Sequence, residues 1–188
     1  MTYDLMNGDE LSGLWTQIES WLARHAPGDF ATLNAGASDQ EIERLASGLG
    51  FPVHPDLRWF LGVRGGCRPP GTSMDPGAFF LGFTLLDIDG ILTAHRELVD
   101  IVDESVAWVP LAQDFTGDIV FVDHREGFDG AVGIMSFGDP EPTHPWPSLA
   151  SMLQDMMSAL RSGAALASVP ALTPRVHEER MVQWEIHA

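Results

Sequence analysis

Lysine is absent from this chain of 188 residues, and all ten of its basic residues are arginines. They face 27 aspartates and glutamates, which leaves a formal net charge of -17 at pH 7. A surface this acidic repels nucleic acids and anionic membranes, so we predict neither as a partner. If the charge serves recognition, the partner is a basic protein. The alternative is that the acidity only maintains solubility.

Cysteine is also scarce. The single residue, Cys67, cannot form a disulfide within the chain and leaves no cysteine-based zinc site. No apolar run approaches the roughly 20 residues that cross a bilayer, and the first residues are acidic where a signal peptide carries positive charge. We therefore expect a cytoplasmic protein. The histidines lack HxxxH and HExxH spacings and no phosphate-binding glycine loop occurs, so we predict no metal and no cofactor.

Apolar residues recur at helical spacing in both halves of the chain. Ser38 and Glu41 form a capping box, proline stands in the first turn at Pro55, and Gly163 follows the last periodic residue. These signals predict helices over residues 11–25, 38–49, 55–63, 91–102 and 148–162.

Between the helices, short apolar runs separated by turn signals predict an antiparallel meander. We predict strands over residues 79–86, 106–112, 118–123 and 131–137, loops over 68–77 and 138–147, and a closing strand over 182–186. Pro110 cannot donate a ladder hydrogen bond, so we expect it at a strand end, a bulge or an edge. Trp108 beside it should be a core residue. The predicted fold is α+β, with a mainly antiparallel sheet packed against helices from the N- and C-terminal parts.

The glycine- and proline-rich loop near residue 70 is the plausible internal boundary. Neither flank offers enough amphipathic elements to bury a full core alone. We therefore predict one domain over residues 1–188, in which 164–188 form a C-terminal tail.

A series of short motifs runs through residues 12–163. It comprises Leu14-Trp15, Trp21-Leu22, Gly36-Ala37-Ser38, Glu41-Ile42, Leu49-Gly50, Pro52, Pro55, Leu57-Arg58, Trp108-Val109-Pro110, Asp114, Gly117-Asp118, Val122-Asp123, Gly130, Val132 and Pro147-Ser148-Leu149. The ordered set resembles the SUKH superfamily, which includes the yeast cell-wall assembly regulator and many bacterial immunity proteins. One departure is Gly65-Gly66, where the family usually has Asn-Gly. Both residue types tolerate the left-handed conformation at a helix end.

The resemblance implies a protein that acts by binding other proteins. Our first hypothesis is a non-enzymatic bacterial immunity-type protein that neutralises a basic, nuclease-like toxin. The alternative is a regulatory or scaffold interaction domain of the cell-wall-regulator type. A third hypothesis, an uncharacterised hydrolase, requires Asp114, Asp118, Asp123 and His124 to converge.

Five acidic residues in the predicted meander are candidate contacts for a basic partner, with Arg125 alone opposing them: Asp114, Asp118, Asp123, Glu126 and Asp129. The alternative is that aspartates in turns cap backbone amides. Trp146 is a sixth candidate because it lies in a proline-rich segment, where an exposed indole would anchor an interface. Its alternative is packing against the last helix.

Overall fold

The computed structural model describes residues 4–68, 77–102, 107–177 and 180–187. Over these residues the chain forms six helices: α1 Asp4–His25, α2 Pro27–Phe30, α3 Asp39–Leu49, α4 Pro55–Val63, α5 Ile88–Ile101 and α6 Leu149–Ser162. It also forms seven strands: β1 Thr84–Leu85, β2 Trp108–Gln113, β3 Ile119–Asp123, β4 Val132–Ser136, β5 Asp139–Trp146, β6 Leu172–Val176 and β7 Val182–Ile186. The predicted α+β class is confirmed.

The helix ends follow the local signals of the sequence. Ser38 Oγ accepts a hydrogen bond from the Glu41 amide at 3.3 Å, and the Glu41 carboxylate accepts from the Ser38 amide at 2.7 Å. This confirms the capping box at α3. Ser148 Oγ caps α6 by accepting a hydrogen bond from the Ser151 amide at 3.1 Å, and Gly50 and Gly163 end α3 and α6 with φ angles of 82° and 67°. Only glycine adopts this left-handed conformation without steric cost.

Strands β1 to β5 form one antiparallel sheet in sequence order. The predicted strand over 79–86 is reduced to Thr84–Leu85, because Leu81 and Gly82 have positive φ angles that turn the chain. Pro110 lies at a bulge in the β2–β3 pairing, as expected. Trp108 is 2% exposed and stacks on Phe121 with ring centroids 4.6 Å apart, which confirms its core position.

The prediction of a loop over 138–147 is wrong, because most of this segment is the edge strand β5. Proline is tolerated at an edge when its nitrogen faces away from the neighbouring strand. The pairing of β5 with β4 is irregular on both sides of Thr143, which pairs with Ile134. These register shifts leave β5 with residues that have no partner in β4, and a proline there costs no hydrogen bond of the sheet.

Helices cover both faces of the sheet. Val109, Leu111, Val120 and Val122 point into a large core shared with α1, α3, α4 and α6. The alternating residues Trp108, Ile119 and Phe121 point to the other face, where they form a smaller core with Met135 and with Leu98 of α5. No helix over the described residues combines the length and apolar content that spanning a membrane requires.

The predicted closing strand over 182–186 is present, but it pairs with β6 in a separate two-stranded sheet. Asp29 of α2 attaches this sheet to the core. It is fully buried, and its two carboxylate oxygens accept hydrogen bonds from the Gly77 amide at 2.8 Å and the Val182 amide at 2.7 Å. The Trp184 indole nitrogen donates to the Phe79 carbonyl at 2.8 Å.

We expect Asp29→Ala to lower the free energy of unfolding by about 2–4 kcal/mol, because two buried amides lose their acceptor. Asp29→Asn keeps one acceptor oxygen and should cost less. Urea unfolding of both variants checks this.

We also expect one unfolding transition for the whole chain, and two separated transitions would contradict a single domain over residues 1–188.

Candidate functional site

Strand β3 divides the predicted acidic contacts between two ends of the sheet. Asp114 and Asp118 lie in the β2–β3 turn, whereas Glu126 and Asp129 lie in the β3–β4 turn. Asp118 and Asp123 are five residue steps apart, a distance of about 17 Å in an extended strand. The chain therefore presents two acidic sites rather than one continuous surface.

We name the first site the Phe115 end and define it as residues 114–118 and 136–138. The Asp114 Oδ1 atom accepts hydrogen bonds from the Thr116 amide (2.9 Å), the Thr116 hydroxyl (2.8 Å) and the Asp118 amide (3.0 Å). The Asp118 Oδ1 atom accepts from the Phe137 amide at 2.8 Å and the Ser136 hydroxyl at 3.0 Å. As the turn-capping alternative predicts, one oxygen of each carboxylate accepts hydrogen bonds from groups of the turns. Over the described residues, no hydrogen bond reaches either Oδ2 atom.

Two phenylalanines at the Phe115 end were missed by the sequence analysis. Phe115 is 93% exposed and Phe137 is 43% exposed. The available signal was the position of Phe115, an aromatic residue in the middle of a turn bounded by two aspartates. Exposed aromatic side chains are frequent anchors of protein interfaces.

We name the second site the Arg125 end and define it as residues 123–130. Asp123 is fully buried there, and its carboxylate accepts hydrogen bonds from Arg125 Nη2 at 2.7 Å and from His144 Nε2 at 2.9 Å. Burial acts to raise the pKa of Asp123, but these bonds outweigh it and hold the pKa below its usual value of 3.8. Asp123 therefore cannot contact a partner directly, which corrects its prediction as a surface residue.

The Arg125 guanidinium also contacts two aromatic rings. Its central carbon lies 5.1 Å from the Trp108 ring centroid and 4.9 Å from that of Phe128. Phe128 is 43% exposed. Arg125 thus combines an ion pair with cation–π contacts, and its guanidinium binds groups of its own chain.

A cleft of about 360 Å³ opens beside the Arg125 end. Its lining is mostly apolar: Phe51, Pro52, Val53, His54, Pro55, Ala107, His124 and Asp129. The His54 amide donates to His124 Nε2 at 2.8 Å, so His124 Nδ1 carries the proton and donates to the Val122 carbonyl at 3.1 Å. Burial lowers the pKa of His124 and favours this neutral form. The Asp129 carboxylate lies 4.0 Å from His54 Nε2.

Trp146 is fully buried, which corrects its prediction as an exposed anchor. Its indole nitrogen donates to Asp155 Oδ2 at 3.0 Å, so it packs against α6 as the alternative held. Asp155 also accepts from the Ala167 and Ser168 amides at 2.9 and 3.0 Å. The indole fills space inside the fold because β5 continues to the start of α6.

The residues that a hydrolase would need do not converge. Asp114 and Asp118 lie at one end of β3, and Asp123 and His124 lie at the other. Over the described ranges, no three His, Cys, Asp or Glu side chains are placed to hold a metal ion. The arrangement instead offers two polar and aromatic surfaces at the ends of a rigid sheet, a geometry suited to binding another protein.

The comparison with protein families agrees with this class. The model of the SMI1 / KNR4 family (SUKH-1) matches residues 36–155, and the chain belongs to that family. Domains of this family are protein-interaction modules. The matched segment contains the five-stranded sheet and both of its ends. No curated protein matches the chain.

We expect Asp123→Asn to lower the free energy of unfolding by about 1.5–3 kcal/mol near neutral pH, because Arg125 and His144 lose a charged hydrogen-bond acceptor. The folded-state pKa of Asp123 lies below the unfolded value, so this stabilisation is full above pH about 4. It is lost as pH falls through the folded-state pKa. Urea unfolding at several pH values should show the difference from the unmodified protein shrinking in acid.

Asp129→Asn is the matched control, since it removes the same charge from an exposed position of the same turn. Its effect should stay within about 0.5 kcal/mol at every pH. Equal destabilisation by the two variants would contradict the importance of the buried ion pair.

Proposed function

We propose that this chain is a cytoplasmic, non-enzymatic bacterial immunity-type protein that binds and neutralises a basic, nuclease-like toxin. Membership of a family of protein-interaction modules supports a protein as the partner. The net charge of -17 supports a partner of opposite charge.

The observation that carries the proposal is the pairing of the chain's few arginines with its own carboxylates. Five of its ten arginines form ion pairs with its own described carboxylates: Arg44 with Asp89, Arg58 with Glu43, Arg64 with Glu19, Arg125 with Asp123 and Arg175 with Glu185. These pairs neutralise much of the positive charge internally. The surface presented to a partner is therefore predominantly negative.

Neutralisation would work by occlusion. A nuclease holds phosphates on a cationic surface, and an acidic protein gains both association rate and specificity on such a surface. Binding would cover the surface that the nucleic acid needs. No catalytic group of the immunity protein takes part in this mechanism.

The test begins with affinity capture from the native host and identification of the captured protein by mass spectrometry. The captured protein is then expressed in a bacterial host with and without this chain. The proposal predicts a basic protein that stops growth alone and permits growth when co-expressed. A captured partner that is harmless alone would contradict the immunity role and favour the regulatory or scaffold alternative.

We expect association with the captured partner to slow as salt rises, because screening shortens to about 8 Å at physiological ionic strength. The double variant Asp118→Asn/Asp129→Asn should lower the association rate constant more than it raises the dissociation rate constant. Surface plasmon resonance over a salt series measures both constants. Melting temperatures measured in parallel separate lost binding from lost stability.

The matched control is Glu97→Gln/Asp100→Asn, which removes the same charge from exposed positions of α5. It should leave the association rate closer to that of the unmodified protein. Association that is independent of salt, with unchanged rates in the folded double variant, would overturn electrostatic recognition.

A further inference from the structure

We propose that the Phe115 end binds an arginine side chain of the basic partner, pairing the guanidinium with Asp118 and stacking it on an exposed phenylalanine ring. The inference rests on the proposed function, because it names the contact through which a basic protein would be recognised. It assigns arginine binding to the Phe115 end and not to the Arg125 end.

The Phe115 end is held in place before any partner arrives. Asp118 joins the two turns of the site, since its carboxylate accepts from the Phe137 amide and its carbonyl accepts from the Asp114 amide at 3.0 Å. Gly117 has a φ of 96°, and a Cβ built there would lie 3.4 Å from the Phe137 ring. The ring therefore packs over the glycine with 43% of the residue exposed. A surface that is already ordered loses little conformational entropy on binding.

The charge at this end is not neutralised within the chain. Over the described residues, neither Asp114 nor Asp118 forms an ion pair, and the hydrogen bonds they accept all reach Oδ1. A carboxylate oxygen can accept about two hydrogen bonds, so each Oδ2 keeps its capacity for an external donor. This capacity lies beside exposed aromatic surface.

The Arg125 end shows that a carboxylate beside an exposed phenylalanine can bind an arginine side chain. There, too, a carboxylate at the end of β3 lies near a phenylalanine that is 43% exposed, and the arginine bound between them comes from the chain itself. Arg125 pairs with Asp123 at 2.7 Å and lies 4.9 Å from the Phe128 ring centroid. At the Phe115 end the carboxylate and the rings are present, but no arginine of the described chain pairs with them. We therefore assign the missing cation to the partner.

The same comparison favours arginine over lysine. A guanidinium is planar and weakly hydrated, so it can pair with a carboxylate along its edge while its face stacks on an aromatic ring. An ammonium group cannot do both with equal geometry. Phe115, 93% exposed, adds apolar surface that the partner would bury beside the arginine.

The test uses the complete, ¹⁵N-labelled chain and three synthetic peptides of equal length. One alternates arginine with glycine, one replaces arginine by lysine, and one replaces it by citrulline, which keeps the shape without the charge. Amide chemical shifts of residues 114–118 and 136–138 are compared with those of residues 125–130. We expect the arginine peptide to shift the Phe115 end first, with a Kd at least about threefold below that of the lysine peptide. The citrulline peptide should cause no shift.

Two variants remove the proposed contacts without removing the turn. Asp118→Asn keeps Oδ1 as an acceptor for the Phe137 amide but loses the charge, and Phe115→Ala removes a ring that packs on little of the chain. Each should weaken binding of the arginine peptide by about threefold or more. Asp100→Asn at an exposed position of α5 carries the same charge change and should leave the Kd unchanged. Unaltered spectra away from the site show that each variant is folded.

Equal shifts at both ends, equal affinity for the arginine and lysine peptides, or equal weakening by Asp118→Asn and Asp100→Asn would overturn the inference. The proposed function can fail separately. Salt-dependent binding of a toxic partner that survives Phe115→Ala and Asp118→Asn would keep the immunity role and reject this contact. Arginine binding at the Phe115 end together with a harmless captured partner would keep the contact and reject the immunity role.

Discussion

Strand β3 is buried at all five of its positions because helices cover both faces of the sheet. A strand of this kind has no room for solvated charge along its length, and polar groups are placed at its ends. The consequence is visible in the aspartates at its two ends, since Asp118 precedes the strand and Asp123 is its last residue. Asp118 ties two turns together at one end, and Asp123 binds Arg125 and His144 at the other. The double burial of β3 thereby divides the acidic residues into two separate sites.

Buried and half-buried carboxylates recur as connectors in this chain. Asp29 holds the amides of Gly77 and Val182, and Asp155 holds Trp146 together with two amides of the segment after α6. Each carboxylate provides several acceptor sites, so one side chain can join segments that are distant in sequence. Part of the net charge of -17 therefore serves the fold. The acidic residues that remain for recognition are fewer than the composition indicates.

The two ends of the sheet differ in how far their charged groups have partners within the chain. At the Arg125 end, the carboxylate pairs with the guanidinium, which also lies against two aromatic rings, and the nearby His124 ring accepts a hydrogen bond from the His54 backbone amide. At the Phe115 end, two phenylalanine rings are exposed and no described arginine pairs with the neighbouring carboxylates. This asymmetry separates an end whose carboxylate is paired within the chain from an end whose carboxylates, over the described residues, have no ion-pair partner. It is why the proposed contact involves one end only.

Local patterns in the sequence determined the elements whose causes are local. The capping box at Ser38, the glycine at the end of α6, the strands β2 to β4 and the bulge at Pro110 follow from interactions within a few residues, and the structure contains them all. The family resemblance is confirmed as well, because it rests on the order of such motifs.

Tertiary structure alone decided the rest. The proline-rich segment became strand β5 because the edge of the sheet leaves one side of a strand without a neighbour, where a missing amide costs nothing. Trp146 became buried because β5 leads directly into α6. Asp123 became buried because His144 of β5, 21 residues away in sequence, packs against it. Phe115 remained 93% exposed because no distant segment packs over its side chain among the described residues. These outcomes depend on which distant segments meet, and that pairing is fixed only when the core closes.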